Sequence, residues 1–502
     1  MLSLVACSSD KGGVEGEKKE LKVAYNAQPP TLDPLITTAV ATRDIMRHVY
    51  ESLITLNDNF EVEAMLAESY EVSEDGKQIT FNLREDVKFH NGEIMSADDV
   101  VSSMNRWKEN TSLGKAYFEN AEFAKKDEST VVLSMEERLF TALNMLADPG
   151  QAAIISPMSE NDAATAEGLQ NFIGTGPYKF VEWKSDQNVH LEKYDDYASV
   201  DTIASGLAGK KEAFIDDIIF EFVTDSSTRL AGIQTGEYDV VNAIPFDNAE
   251  QLENNKDVIN SVDHNGFNGI VFNKKTGIFK DVLARQAVNA ALDEDAILTA
   301  AFTNKEFYEL EHGLMIKNQK EWYSAVGEEL YNQKNPEKAK ELLKEAGYNG
   351  EEIIILTSRD YEDHYNAAVV VQQQLLDIGM EAKLDVYDWA TVLQKRAEEE
   401  EYDMFVTGFP TEPIPTKYVF LDSKNEWPGW TNSPEIDALL NDINGAENQE
   451  EAKESYENLQ EEFYNYLPII KFGNKTTITT TRSNIEDMGF LQGIILWNVD
   501  KK

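Results

Sequence analysis

Apolar and polar residues alternate in some segments of the chain, whereas in others apolar residues recur at every third or fourth position. Alternation is typical of half-buried strands, and the longer spacing is typical of helices with one buried face. Residues 79–83 alternate, and residues 97–107 show helical spacing. This stretch therefore predicts a strand and then a helix, in which Ser96 is the cap and Asp98 and Asp99 lie at the positive end of the helix dipole.

The same two patterns predict most of the remaining elements. One helix has clear limits, because Asn335 is a favourable cap, Pro336 a favourable first residue and Gly347 a favourable terminator. Strands that alternate with helices indicate βαβ units with parallel strands, so the expected fold class is α/β. Further strands are predicted at residues 21–25, 87–89, 178–180, 215–223, 238–241, 353–357, 382–386, 402–407 and 469–472, and further helices at residues 43–53, 226–235, 365–378, 390–399 and 450–464.

Residues 174–180, with the sequence GTGPYKF, place two glycines before a proline. This arrangement predicts a tight crossing of the chain that leads into a strand. A glycine-rich phosphate-binding loop is the competing interpretation. That motif requires a Lys-Ser/Thr pair at the start of a helix, and no such pair follows here, so the phosphate-loop interpretation is excluded.

Length and charge narrow the classes of protein. A chain of 502 residues is too long for a single core, so two or three domains are expected. The formal net charge of −46 disfavours nucleic acid as a partner, because few cationic groups are available to displace counterions from phosphates. It equally disfavours docking on an anionic membrane. Such acidity favours solubility and, to a smaller extent, attraction of cationic solutes.

The chain has a single cysteine, Cys7, so it has no internal disulfide. Cys7 follows the apolar tripeptide Leu-Val-Ala and precedes Ser-Ser-Asp, an arrangement that looks like a bacterial lipobox. An ordinary exposed cysteine is the alternative. Residues 11–20 are polar and contain glycine, which is typical of a flexible tether. No apolar run elsewhere is long enough to span a bilayer.

Residues 75–100, DGKQITFNLREDVKFHNGEIMSADDV, closely resemble the signature of the peptide/nickel class of extracytoplasmic solute-binding proteins of ABC importers. Residues 28–34, 50–53, 174–180, 227–239 and 266–293 are similar to further motifs of that family. The resemblance implies a two-lobed, periplasmic-binding-protein-like fold of type II, enlarged by an extra subdomain, with a ligand cleft between the lobes.

The resemblance also implies where the domains begin and end. Residues 1–20 are expected to be a lipobox remnant and a tether. Residues 59–172 are expected to form a subdomain inserted into lobe I, and residues 265–479 to form lobe II. The core of lobe I is expected to comprise residues 21–58, 173–264 and 480–502.

Ligands of parallel α/β sheets bind beyond the carboxyl ends of the strands. In lobe II, three loops leave such ends, at residues 358–360, 388–389 and 408–412. Because the strands are predicted to be parallel, all three loops are expected at one edge of the sheet, facing the cleft. Tyr25 and Trp389 are predicted to line the pocket. The alternative is that each is only a residue of the core or of the pocket's rim.

Arg359 is the predicted partner of a ligand carboxylate, because its planar guanidinium donates two parallel hydrogen bonds. In family members that bind short peptides, an arginine at this position takes the peptide carboxyl terminus. A surface arginine paired with Asp360 or Glu362 is the alternative. The resemblance assigns Glu412 to a ligand ammonium, although the rest of the family's motif after Gly408 is altered; a solvated loop glutamate is the alternative.

An enzyme would require a nucleophile with a base, or a metal site. The six histidines are scattered without ligand spacing, and the chain has no Gly-x-Ser-x-Gly elbow. We therefore expect neither catalysis nor a cofactor nor a bound metal. The resemblance implies a monomeric, lipid-anchored protein on the extracytoplasmic face of the bacterial membrane, which closes on a short peptide and delivers it to a permease driven by an ATPase. A nickel chelate, haem or sugar as solute, and a role as receptor for a signalling peptide, remain alternatives.

Overall fold

A computed structural model describes residues 18–502 of the chain. Cys7 and most of the predicted tether lie outside these residues. The strands are β1 (Glu20–Tyr25), β2 (Ile54–Leu56), β3 (Val62–Ala64), β4 (Ala67–Val72), β5 (Gln78–Leu83), β6 (Glu122–Asp127), β7 (Thr130–Ser134), β8 (Tyr178–Lys184), β9 (Asn188–Lys193), β10 (Asp217–Phe222), β11 (Val240–Val241), β12 (Val258–Phe272), β13 (Tyr308–Glu309), β14 (Glu352–Ser358), β15 (Glu381–Tyr387), β16 (Met404–Pro410), β17 (Ile469–Arg482), β18 (Ile485–Glu486), β19 (Gly489–Phe490), β20 (Ile494–Ile495) and β21 (Asp500–Lys501).

The helices are distributed along the whole described chain. They are α1 (Val40–Met46), α2 (Ala97–Asn110), α3 (Ser112–Tyr117), α4 (Ala142–Leu146), α5 (Met158–Ala163), α6 (Ser226–Thr235), α7 (Phe246–Leu252), α8 (Val282–Ala291), α9 (Glu294–Phe302), α10 (Pro336–Glu345), α11 (Glu362–Asp377), α12 (Trp389–Lys395), α13 (Pro434–Gly445) and α14 (Gln449–Tyr466). Short 3₁₀ turns lie at Pro149–Gln151, Ile278–Lys280, Lys305–Phe307, Glu328–Leu330, Pro415–Lys417 and Ser423–Asn425.

One eleven-stranded sheet runs through both lobes, in the order β15-β14-β16-β12-β17-β11-β1-β10-β9-β8, with β13 paired to β17. Strands β1, β10 and β11 are parallel, as the βαβ pattern around α6 predicts. Strands β14, β15 and β16 are also parallel to one another. The predicted α/β class and the parallel pairing of the lobe II strands are confirmed.

Strands β12 and β17 connect the two lobes. They form an antiparallel pair from Val258 opposite Arg482 to Val271 opposite Ile469, with register shifts near Gly266 and Gly269. At one end β17 pairs with β11 of lobe I, and at the other end β12 pairs with β16 of lobe II. These two long strands, the hinge strands, therefore join the sheet of lobe I to that of lobe II.

The inserted region is built on the four-stranded sheet β4-β5-β7-β6, against which α2 packs. The predicted start of α2 is confirmed: Ser96 accepts a hydrogen bond from the Asp99 backbone, and the Asp99 side chain accepts one from the Ser96 backbone. The α2 face turned to the core includes Trp107, which is fully buried. The expected strand at residues 87–89 is wrong, because only Lys88 and Ile94 form an isolated bridge there.

The expected helix over residues 43–53 is also wrong beyond Met46. The carbonyl oxygens of His48 and Val49 accept hydrogen bonds from Tyr178 and Gly176 instead of from the next helical turn. A Cβ atom at Gly176 would meet His48 O at 2.4 Å, so the chains cross closely only because this residue is glycine. The predicted tight crossing at residues 174–180 is confirmed, and it ends α1.

Candidate functional site

The candidate site is a cavity of about 580 Å³ between the lobes. Its volume lies within the range of about 300–1,000 Å³ that is typical of small-molecule sites. A larger depression of about 800 Å³ exists, but residues of lobe I alone line it. Lobe I contributes Thr38, Val40, Arg43, Ser112, Leu113, Ala116, Tyr117, Asp148, Gly150, Gln151 and Gln492 to the candidate site, and lobe II contributes Asn265, Gly408, Phe409, Pro410, Glu412, Thr416, Lys417, Val419, Asn425 and Lys475.

The lobe II side of the cavity is formed by the end of β16 and the loop that follows it. Phe409 is buried against Phe267, Phe420 and Trp427, so the backbone leaves the sheet over an aromatic cluster. The 3₁₀ turn Pro415–Lys417 then directs the Lys417 side chain back into the cavity. Packing thus holds the loop residues at this end of the strand.

Lys417 forms two short ion pairs, and one of them joins the lobes. Its ammonium lies 2.6 Å from Asp148 Oδ2 of lobe I and 2.7 Å from Glu412 Oε2 of lobe II. The Asp148 side chain is 1% exposed and that of Lys417 8% exposed, so solvent screens this triad little. Burial favours the neutral form of Lys417, but the two carboxylates outweigh it and raise the lysine pKa. Burial raises the pKa of Glu412, and Lys417 opposes that rise.

A second contact between the lobes lies beside the triad. The side-chain amide of Gln492, from the carboxyl-terminal segment, donates a hydrogen bond to the carbonyl oxygen of Thr411. Farther away, the Phe140 backbone donates to Asn444 O at 2.8 Å, and Thr141 Oγ1 donates to Asn444 Oδ1 at 2.7 Å. Polar contacts therefore link the lobes at the cavity and also at the inserted region.

Lys475 lies at the opposite corner of the lobe II wall, around Gly408. A Cβ atom at Gly408 would meet Lys475 Nζ at 2.8 Å, Asn268 Oδ1 at 2.9 Å and His364 Nε2 at 3.3 Å. Asp363 is nearby and accepts a hydrogen bond from Asn268 Nδ2 at 2.7 Å. Burial lowers the pKa of Lys475, and Asp363 opposes the shift. Glycine at position 408 thus permits several polar groups to converge at the end of β16.

On lobe I, Tyr25 lies at the end of β1 but does not line the cavity. It is 2% exposed, and its hydroxyl donates a 2.7 Å hydrogen bond to Asp44 Oδ2. Asp44 also accepts from Nε of Arg43, which does line the cavity. Burial and Asp44 raise the pKa of Tyr25 well above its ordinary value. Tyr25 therefore supports Arg43 through Asp44, and its predicted contact with ligand stays a prediction.

Arg359 and Trp389 lie at the predicted edge of the lobe II sheet, outside the residues that line the cavity. Arg359 is exposed; it stacks on the Tyr365 ring and donates to the Tyr365 hydroxyl at 2.9 Å. Trp389 packs against Tyr361 and His364. The Trp389 backbone donates to Asp360 Oδ2 at 2.7 Å, so the first two predicted loops are adjacent. Ligand binding by Arg359 and Trp389 stays a prediction.

Of the four predicted ligand-binding residues, Glu412 lines the cavity. Its carboxylate, which was expected to bind a ligand ammonium, is paired with Lys417. That role of Glu412 stays a prediction. Sequence reasoning missed Asp148, Lys417 and Lys475. The position of Lys417 five residues after Glu412 was visible, but no pattern shows that a loop lysine meets Asp148 from another lobe.

Among residues 18–502, no group of three or more His, Cys, Asp or Glu side chains is arranged to hold a metal ion. Within the same residues, no helix is both long and apolar enough to cross a membrane.

Comparison with known proteins identifies similar chains. The family model described as "Bacterial extracellular solute-binding proteins, family 5 Middle" matches residues 61–429. The probable peptide ABC transporter periplasmic-binding protein y4tO of Sinorhizobium fredii is 27% identical, over 93% of this chain and 91% of that protein. The oligopeptide-binding protein AppA of Bacillus subtilis is 26% identical, over 99% of this chain and 95% of that protein. The structure of NikA from Brucella suis in complex with Fe(III)-EDTA shares the fold, with a TM-score of 0.82 at 20% identity. The match covers 96% of this chain and 100% of that chain.

Proposed function

Because the chain belongs to family 5 of the bacterial extracellular solute-binding proteins, we propose that the solute it captures for an ABC importer is a short peptide. The observation that carries the proposal is the cavity of about 580 Å³, whose wall both lobes build. A site divided in this way is completed only when the lobes come together, so binding and closure are coupled. The names of the two relatives at 26–27% identity support a peptide as the solute.

The mechanism follows from the two hinge strands and the polar contacts between the lobes. Bending of β12 and β17 separates Lys417 from Asp148 and opens the cavity, and closure forms the ion pair again around the bound solute. Main-chain groups at the end of β16 are available to the peptide backbone, which gives affinity with little dependence on side chains. The protein is not a member of an enzyme family, and no chemical step is required.

The solute-binding role places the protein outside the cytoplasm, where it works with an ABC importer. We further propose that it is a monomer, that its partners are a permease and an ATPase, and that a lipid on Cys7 anchors it to the membrane. The position of Cys7 before the polar residues 11–20 supports this proposal.

The Ala116→Trp substitution tests whether the cavity is the peptide site. Ala116 is exposed on α3 and lines the cavity, so an indole group there fills space without disturbing a core. We expect the affinity for a mixture of tri- to pentapeptides, measured by calorimetry, to fall at least about tenfold, because the solute and the indole compete for one volume. Small-angle scattering should show less closure at the same peptide concentration.

Lys115→Trp is the matched control. Lys115 is the neighbouring exposed residue on α3 and does not line the cavity. Its variant should keep the peptide affinity within about twofold. Equal peptide binding by Ala116→Trp and the unchanged protein would place the peptide elsewhere, and no peptide binding by the unchanged protein would contradict the proposed solute class.

A further inference from the structure

The charged side chains that line the cavity differ in how free they are to pair with a ligand. Three are basic, Arg43, Lys417 and Lys475, and two are acidic, Asp148 and Glu412. Both carboxylates are already paired with Lys417, at 2.6 and 2.7 Å. The Lys417 ammonium therefore stands where a cation from a ligand would have to bind. The cavity surface, as residues 18–502 define it, offers a ligand no carboxylate that lacks a cationic partner.

Lys475 has the opposite character. Within the described chain its ammonium forms neither a hydrogen bond nor a close ion pair, although it lines the cavity. The nearest polar groups around Gly408 are neutral: Asn268 Oδ1 and His364 Nε2, the latter on an imidazole whose pKa burial lowers to about 4. Asp363 attracts Lys475 from a distance, but its carboxylate is engaged with Asn268. Lys475 is thus a partly buried cation whose ammonium N–H groups are free to donate to a ligand.

A neutral acceptor in the same cavity lies one residue from the cross-strand partner of Lys475. Asn265 lines the cavity, and its Oδ1 atom is buried without a hydrogen-bond partner in the described structure. Asn265 precedes Gly266, and Gly266 lies opposite Lys475 in the β12–β17 ladder. A cation and a neutral acceptor in one cavity match a group that carries a negative charge beside an N–H. The terminal residue of a peptide, with its carboxylate and its amide N–H, is such a group.

We infer that the cavity receives its solute through an anionic end group at Lys475 and Asn265, and that it does not recognise a free ammonium at Asp148 or Glu412. In a protein with a formal net charge of −46, this is a local cationic site for an acidic solute. Solutes that carry a carboxylate, and whose amino end is blocked or lies outside the cavity, are therefore preferred. The inference deepens the proposed function and rests on it for the choice of peptide probes.

Four tripeptide libraries of equal composition test the inference. Their amino ends are free or acetylated, and their carboxyl ends are acids or amides. We expect the acids to bind at least about tenfold more tightly than the amides, because only the acids pair with the Lys475 ammonium. Acetylation should leave affinity unchanged or increase it. Binding is measured by competition in native mass spectrometry.

Lys475→Gln should remove the preference for acids, and Lys424→Gln should keep it. Lys424 is an exposed lysine in the 3₁₀ turn Ser423–Asn425, and its removal changes the net charge equally. Lys417→Met should create a preference for the free amino end, because it releases Asp148 and Glu412. If Lys417→Met does not fold, the free and acetylated libraries on the unchanged protein still decide the point.

Tighter binding of free-amine libraries, with acids and amides equal, would overturn the inference and leave the peptide function intact. If none of the four libraries binds, the peptide function is contradicted. The preference for an anionic over a cationic end group is then tested with two simple solutes, glutarate and pentane-1,5-diamine. Thermal stabilisation by glutarate that disappears in Lys475→Gln supports the inference. Stabilisation by the diamine alone overturns it.

Discussion

Arg106→Ala should lower the free energy of unfolding by about 3–5 kcal/mol, the usual cost of leaving one partner of a buried ion pair unpaired. Arg106 lies on α2 and pairs with Asp33, whose side chain is fully buried in the loop after β1. Both guanidinium Nη atoms donate to the carboxylate, which also accepts from the backbone of Leu35 and Leu169. The pair joins α2, which packs on the four-stranded sheet, to the loop after β1. Urea unfolding followed by circular dichroism measures the effect.

The double variant Asp33→Asn/Arg106→Ala separates charge from packing. Asparagine keeps the shape at position 33 and an acceptor for a backbone N–H, so part of the stability should return. Glu109→Ala, at an exposed position of α2, is the control and should change stability by no more than about 0.5 kcal/mol. If Arg106→Ala lowers the free energy of unfolding equally whether position 33 is aspartate or asparagine, the unpaired buried charge is not the cause of the loss.

Glu294 makes the stability of lobe II depend on pH. It is the first residue of α9 and is fully buried, and neither of its carboxylate oxygens has a hydrogen-bond partner in the described structure. Burial raises its pKa from 4.5 to about 8, and Asp293 adds to the rise. The folded state therefore holds a proton that the unfolded state releases. This contribution to stability is complete below pH 4.5 and is lost as the pH rises to about 8.

Glu294→Gln should remove this loss. Glutamine is neutral at every pH and close in volume, so the free energy of unfolding of the variant minus that of the unchanged protein should increase by about 3 kcal/mol between pH 5 and pH 8. Urea unfolding at intervals of pH measures both curves.

Glu362→Gln is the matched control, because Glu362 is also the first residue of a helix in lobe II but is exposed. Its difference curve should be flat. Parallel curves for Glu294→Gln and the unchanged protein would mean that Glu294 is ionised in the folded state with a partner.

The sequence was informative wherever local chemistry decides the structure. Ser96 caps α2 as predicted, and Asp99 completes a capping box with it. Asn335 caps α10, whose first residue is Pro336, also as predicted. The parallel pairing of β14, β15 and β16 followed from the alternation of strands and helices, and the adjacency of the loops at their ends followed from the pairing.

The sequence was less informative where contacts between distant residues decide the structure. The strand expected at residues 469–472 continues to Arg482, because β12 supplies partners for its polar residues along the whole length. Threonines at positions 476, 477, 479, 480 and 481 give no alternation, so the hinge is not visible as a strand.

The candidate site shows the same division. The end of β16 and Glu412 were predicted, since a strand end and a carboxylate are local features. Lys417, Asp148 and Lys475 were missed, because they meet only when separate lobes fold and come into contact. Arg359 met the chemical requirement for a carboxylate partner, but in the structure it stacks on Tyr365 outside the cavity.

The most direct test of the central claim is native mass spectrometry of the purified protein, with the bound solute released and identified. We predict co-purified peptides of a few residues, whose release is accompanied by opening of the lobes. A bound metal chelate, haem or sugar in place of a peptide would contradict the proposed solute.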